Sequence, residues 1–307
     1  MKVVVLGAGG VGGYFGAKLA AAGNEVVFVA RGAHREAMAR DGLLVHTSEG
    51  ELHIPEPHLL GDGSDVGPCD AALVCVKLWD LEAAAELLRP LCGPESAVLP
   101  LQNGVTASDT LATALGPDCV LGGVAQIAAQ IEAPGVIRQT GKFARLIFGE
   151  RDGSRSARIE ALHAACQAAG IDAKISDSIE IDHWKKFVLL APIAGAASRH
   201  RLPLGALMAE PARAAELRAL VEEVVAVGRA KGVALADDLA EKTFAFHRDL
   251  PAEMKPSMLH DLEAGRRLEL DWLNGEVVRL GEALGVETPA HRAVTEALEG
   301  VKLGQGA

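Results

Sequence analysis

The sequence predicts two domains: an α/β domain built on a parallel sheet over residues 1–177, and an all-helical domain over residues 178–307. Three observations carry this. Short apolar runs alternate with helical ones through the first half. The pattern turns almost wholly helical after Asp177. A chain of 307 residues also exceeds what one hydrophobic core usually serves.

The elements follow in order. "KVVVLG" reads as a strand, and "GVGGYFGAKLAAAG" as a helix with Val11, Phe15 and Leu19 on one face. "NEVVFVA" is the next strand, and "HREAMARDG" a helix stopped by glycine. "DAALVCVK" is a strand ending at Lys77, and "DLEAAAELLRPL" a helix. "SAVLPLQ" is a strand running into Gln102, Asn103 and Gly104. Strands that are apolar throughout belong to a parallel sheet covered on both faces. "GVIRQTG" and "FARLIFGE" read as two later strands of the same domain. In the second domain Leu270, Leu273, Val277, Leu280 and Leu284 step by three and four, one apolar stripe on a helix. "ETPAHRAV" opens the last helix, with Thr288 as N-cap and Pro289 in the first turn. No repeat or low-complexity linker intervenes, so two packed domains are expected, with the site in the cleft between them.

Composition narrows the function classes. A hydrophobic content of 49% excludes a disordered chain, and a net charge of −11 argues against coating nucleic acid. The apolar run in "MKVVVLGAGG" is too short for a signal peptide and turns directly into glycines. No run approaches the roughly 18 apolar residues of a membrane span. The expected partner is a small molecule. The five cysteines are odd in number and lack CxxC spacing, which fits reduced, buried thiols in a cytoplasmic protein. The ten histidines show no HExxH spacing, so no metal is expected, and no GxSxG motif appears.

Chemistry enters at "VVVLGAGGVGGYFG". Gly7, Gly9 and Gly12 form a GxGxxG loop directly after a strand and opening a helix. Gly7 permits the tight turn, Gly9 lets backbone approach a pyrophosphate, and Gly12 lets helix pack on strand. The free N–H groups of the helix start then face the phosphates. The cofactor-binding stretch is therefore Gly7, Ala8, Gly9, Gly10, Val11 and Gly12 of a Rossmann-type domain. At the end of the second strand, a cofactor with a free ribose 2′-OH usually meets a carboxylate. This chain has Arg31, which suits a 2′-phosphate and favours NADP over NAD. A solvated arginine is the alternative, and His34 and Arg35 beside it fit a surface role better than an assisting one. Lys77 and Asn103 lie at the carboxyl ends of strands, where ligands of open parallel sheets bind. Each has a plain alternative, an exposed loop lysine and a turn asparagine before glycine.

"DHWKKFVLLAPIAG" sets Lys185 and Lys186 at the head of an apolar run. Consecutive helix residues point about 100° apart, so one faces inward and the other outward. The glycine loop, Arg31, "VKLWD", "LQNG", "GVIRQTG", "WKKF" and "SMLHDLEAGRRLELDWLNG" occur in this order. Together they make the chain resemble the ketopantoate reductases (2-dehydropantoate 2-reductases) over essentially its whole length.

The resemblance implies NADPH as hydride donor and a 2-keto acid as acceptor. It places the catalytic lysine at Lys186 and the partnering glutamate at Glu269. It also places a substrate-binding serine at Ser257, the asparagine for cofactor and substrate at Asn103, and a cofactor-contacting loop residue at Ala128. Glu269 could hold the lysine, keep its charge paired, or accept a hydrogen bond from the hydroxyl product. The chain departs from the family where asparagines commonly follow the lysine at four and eight residues. Here Leu190 and Ala194 stand on the lysine's own face. That leaves the reaction in place and opens the substrate to a less polar keto acid or ketone. A non-catalytic NADP sensor is the reading from another class, and the retained Lys186 and Glu269 argue against it. A helical domain of this kind often pairs, which allows a homodimer, although nothing in the sequence counts subunits.

Overall fold

Runs such as VVVL and VVFV, apolar at every position, stay out of water only as inner strands with both faces covered. The first sheet places them so. In chain order the elements of the α/β unit begin with β1 (Lys2–Leu6), α1 (Gly10–Ala21), β2 (Glu25–Val29) and α2 (Gly32–Asp41). Then follow β3 (Leu43–Thr47), β4 (Gly50–Ile54), β5 (His58–Leu59), β6 (Ala71–Val74) and α3 (Leu81–Leu88). Next come β7 (Ala97–Pro100), α4 (Ala107–Leu115), β8 (Gly122–Ala133), β9 (Val136–Gly149), α5 (Ala157–Ala168) and β10 (Asp172–Ile175). The computed structural model describes residues 1–60 and 66–304.

The first sheet has the order β5-β2-β1-β6-β7 and is parallel at each pairing. Val3 and Val5 on one face of β1 and Val4 on the other are all fully buried. α1 packs Phe15 and Leu19 into the same core as Val3, Val5, Phe28, Leu73 and Leu99. Strands β6 and β7 stop at Val74 and Pro100, so Lys77, Gln102 and Asn103 lie in the loops beyond them rather than on the strand ends.

A second sheet, in the order β10-β9-β3-β4 with β8 antiparallel to β9, was not foreseen. The two later strands expected from "GVIRQTG" and "FARLIFGE" are one 14-residue strand, β9. The register jumps from Ile127↔Ala144 to Ala128↔Thr140, so residues 141–143 bulge out, with Gly141 at φ +77°. That bulge is the gap that made one strand read as two.

From α6 (Ile179–His200) onward the chain is helical: α7 (Leu204–Met208), α8 (Pro211–Ala230), α9 (Leu239–Asp249), α10 (Ser257–Glu263), α11 (Asn274–Leu284) and α12 (Pro289–Leu298). By its own contacts the chain divides into two units. Residues 1–102 and 106–179 form one; Asn103–Val105 and the chain from Glu180 onward form the other. The helical core gathers Trp184, Phe187 and Val188 of α6 with Leu217, Leu220, Val221 and Val224 of α8, and with Leu270 and Val277. Trp184 and Phe187 meet edge to face, centroids 5.7 Å apart.

Two helical expectations change in detail. The stripe from Leu270 to Leu284 does not run along one helix. Leu270–Trp272 is a 3₁₀ turn, Leu273 leaves helical geometry at φ −101° and ψ −88°, and α11 starts at Asn274. Leu284 ends up exposed. Thr288 precedes α12, but its side chain makes no capping bond. Glu223 of α8 does that work, accepting from Ala290 N at 2.7 Å and His291 N at 2.9 Å.

Among the described residues no helix is long and apolar enough to cross a membrane, and no cluster of His, Cys, Asp or Glu could hold a metal ion.

Candidate active site

In the α/β unit the glycine loop grows from the end of β1. Gly7 N and Ala8 N both donate to Val29 O, at 3.0 and 3.1 Å, which turns the chain sharply beside β2. Gly7 sits at φ +91°, and a Cβ there would lie 2.9 Å from the Cys75–Val76 backbone. Both facts require glycine. Gly9 caps α1 with its carbonyl accepting from Gly13 N at 2.6 Å, and a Cβ on Gly9 would find nothing within 4 Å. That open flank at a helix start is what a pyrophosphate needs. Ala8 is buried, Val11 half-buried, and Gly12 lies so close to the Gly7 carbonyl that a side chain would collide with it.

Around this loop stand the residues from neighbouring strand ends. Arg31 is exposed at the start of α2, its guanidinium 3.6 Å from the Asp80 carboxylate. Lys77 is half-buried, caps a 3₁₀ turn over Leu78–Asp80, and holds its ammonium 5.6 Å from the Trp79 ring centroid. Ala128 is not in a loop. It lies exposed on β8 at the register shift, and its neighbour Ala129 presents the carbonyl that a Cβ on Gly10 would strike. His34 is not a surface residue either. It is half-buried, with Nε2 2.8 Å from Ala8 O and Nδ1 3.0 Å from Gly135 N. Burial pushes its pKa down, against the raising effect of the Ala8 bond.

The paired lysines and Glu269 lie in the helical unit. Lys185 is exposed and Lys186 is partly buried, the inward and outward pair that a helix produces. Burial pushes the Lys186 ammonium down to about 8, and the negative charge of Glu269 opposes that shift. Glu269 is itself buried and heads the 3₁₀ turn, its carbonyl accepting from Trp272 N and Leu273 N. No described residue accepts a hydrogen bond from Lys186 Nζ, so its protons remain available to a ligand. Asn103 belongs to this unit by contact, and a Cβ on the adjacent Gly104 would lie 3.1 Å from Trp272 O. The loop after β7 therefore runs against the turn that carries Glu269.

Ser257 is exposed at the first turn of α10, and no hydrogen bond joins its side chain to this group among the described residues. Leu190 is partly exposed one turn from Lys186. Ala194 instead packs into the helical core at 1% exposure, so only one of the two apolar replacements is open to a ligand.

Two functional supports lie outside the sequence reading. Gln102, buried, donates to both Val74 O and Val76 O at 3.0 Å, clamping the loop that backs Gly7. Asn274, fully buried, donates to Ala191 O at 3.0 Å and packs against Gly195. Pro192 disturbs the α6 ladder at this level, and His247 likewise meets Leu189 O at 2.9 Å. Both sit in the quoted motifs "LQNG" and "ELDWLNG", but their partners are remote in sequence.

Two family models match. "Ketopantoate reductase PanE/ApbA" covers residues 3–153, and its C-terminal counterpart covers residues 178–302. The chain belongs to the ketopantoate reductase family. Members are oxidoreductases acting on a CH–OH group, and they use NADPH to reduce small keto acids. The chain is 33% identical to an uncharacterized oxidoreductase, YkpB, of Bacillus subtilis over 96% of each. It is 32% identical to a 2-dehydropantoate 2-reductase of Mesorhizobium japonicum, over 96% of this chain and 95% of that one. A ketopantoate reductase family structure from Ralstonia eutropha superposes with a TM-score of 0.90 at 34% identity, over 98% of each chain.

Proposed function

We propose that this chain is an NADPH-dependent reductase of a 2-keto acid, with 2-dehydropantoate as the substrate and pantoate as the product. On this reading it serves pantothenate biosynthesis in the cytoplasm. The observation that carries the reading is Lys186. Its ammonium is partly buried, held near a buried carboxylate, shifted toward neutral pH, and not consumed by any described acceptor. The glycine loop, Lys77 and Ala128 contact the dinucleotide, with Arg31 on the 2′-phosphate.

Bound NADPH supplies the hydride. Negative charge grows on the ketone oxygen as the carbonyl carbon is attacked. Lys186 stabilises that charge and transfers a proton to the oxygen, leaving a neutral amine that solvent reprotonates. Glu269 keeps the ammonium oriented before transfer. Asn103 orients nicotinamide or ketone through its donor and acceptor, and Ser257 takes the substrate carboxylate.

A second reading keeps this chemistry and changes the acceptor to a less polar 2-keto acid. Leu190 favours it, since an apolar side chain one turn from the acid cannot hydrogen-bond a substrate hydroxyl.

The test mixes protein and NADPH with a panel of 2-keto acids and follows nicotinamide absorbance. Oxidation with 2-dehydropantoate supports the first reading, and oxidation only with apolar keto acids supports the second. Tight NADPH binding without turnover on any acceptor would sink both. Lys186→Ala should abolish turnover and leave NADPH affinity nearly intact, whereas Lys185→Ala should be close to wild type.

A further inference from the structure

The glycine loop holds a peptide whose direction the loop itself does not determine. Gly7 N and Ala8 N are tied to Val29 O, and Gly9 O to Gly13 N. Between them lies the Ala8–Gly9 peptide. Its carbonyl meets His34 Nε2 at 2.8 Å, and Gly9 N–H finds no acceptor among the described residues. The peptide is trans, so its C=O and N–H point in opposite directions. Holding the carbonyl toward α2 therefore aims Gly9 N–H away from α2, as a donor for a phosphate. A Gly9 flank with nothing within 4 Å offers little steric resistance to a flip. The flipped peptide would present a carbonyl oxygen to the same phosphate.

The imidazole can hold this only in one form, and its other nitrogen sets that form. Gly135 N–H, which can only donate, lies 3.0 Å from Nδ1, so Nδ1 keeps its lone pair. Nε2 then carries the proton and donates to the Ala8 carbonyl, which can only accept. Gly135 is fixed in turn, since its carbonyl accepts from Leu44 N at 3.0 Å. The brace thus runs from the β8–β9 turn through His34 to the glycine loop.

We infer that His34 is a positioning residue for the dinucleotide: by pinning Ala8 O it keeps Gly9 N–H directed at the pyrophosphate. This rests on the glycine loop binding a dinucleotide. The pyrophosphate is common to NADPH and NADH, so both should suffer alike when the brace is lost.

The experiment compares His34→Leu and His34→Gln with wild type by fluorescence titration of NADPH and NADH, and by steady-state kinetics. Leu fills the space and makes neither bond; the Gln amide can donate and accept. His34→Leu should weaken both dinucleotides by about tenfold, with kcat at saturating cofactor retained, and His34→Gln should recover most of the loss. Affinity within about twofold of wild type in His34→Leu would overturn the inference. So would loss of NADPH alone, or a Gln variant as impaired as Leu. If the Leu variant does not fold, nitrogen-15 imidazole spectra of the wild type decide. A neutral ring protonated at Nε2, with and without NADPH, is expected, and the other tautomer or the cation overturns it. Wild type binding neither dinucleotide would remove the underlying reading as well, whereas wild-type binding with an unaffected Leu variant removes only the role of His34.

Discussion

In the proposed role Lys186 gives up a proton and so acts only while protonated, and burial pushes its pKa down to about 8. Reduction should therefore be fully active below that pH and decline as pH rises through it. A plot of log kcat/KM against pH, taken at saturating NADPH, should bend downward near pH 8. A guanidinium stays charged throughout. Lys186→Arg should be slower than wild type and lack that bend; a bend retained in the variant would assign it to another group. The proposed 2′-phosphate contact offers a separate test. Arg31 and Asp80 are an exposed ion pair 3.6 Å apart, and such pairs contribute only about 0–1 kcal/mol. A 2′-phosphate binding Arg31 has to displace the Asp80 carboxylate and also feels its charge. Asp80→Asn should lower the KM for NADPH by roughly two- to fivefold and leave that for NADH unchanged. A raised KM for NADPH would mean that Asp80 orients the arginine instead.

At the scale of elements, α12 is anchored by a residue of another helix. Glu223 accepts from two backbone N–H groups of the α12 first turn and from His291 Nδ1 at 2.8 Å. Glu223→Ala should destabilise the helical unit by on the order of 2–3 kcal/mol, read as a lower urea midpoint with an unchanged m-value. Thr288→Ala should cost less than about 0.5 kcal/mol, because its side chain makes no capping bond. This contrast also marks how far the sequence was legible. The first sheet and the glycine loop were readable because their signals are local: continuous apolar strands, glycines at fixed spacing, a helix directly following. The second sheet was not. Its β3 and β4 are short and half-exposed, and β9 is interrupted by the bulge around Gly141. The 3₁₀ turn at Leu270–Trp272 keeps a helical spacing of leucines, so periodicity alone reads through it. Lys186 and Glu269 were placed by resemblance, and the electrostatic coupling between them became visible only in the fold. Bonds such as Glu223 to Ala290 or Gln102 to Val76 join residues that no local pattern connects.

At the scale of the whole molecule, buried histidines should govern how stability responds to mild acid. His34 lies in the α/β unit, and His247 and His291 lie in the helical unit. Burial lowers the pKa of all three below the ordinary 6.5, with hydrogen bonds to Ala8 and Leu189, or the Glu223 carboxylate, opposing it. Between the folded pKa values and 6.5 the unfolded chain binds more protons than the folded one. Stability therefore falls as pH drops through that window, by up to about 1.4 kcal/mol per pH unit for each histidine. Exposed carboxylates with lowered pKa values, such as Glu86, Glu132 and Glu241, depart from an ordinary value of 4.5 and act at lower pH. The decline that begins near pH 6.5 belongs to the histidines. Two of the three lie in the helical unit, so its stability should fall over this window. Trp184 and Trp272 lie in the helical unit and Trp79 in the α/β unit, so in a Trp79→Phe background tryptophan fluorescence during urea unfolding of the full chain at stepped pH follows the helical unit. The urea midpoint should fall between pH 7 and pH 5, and His291→Gln should make that fall shallower. A midpoint that stays flat across this range would show that these rings are not held neutral by the fold.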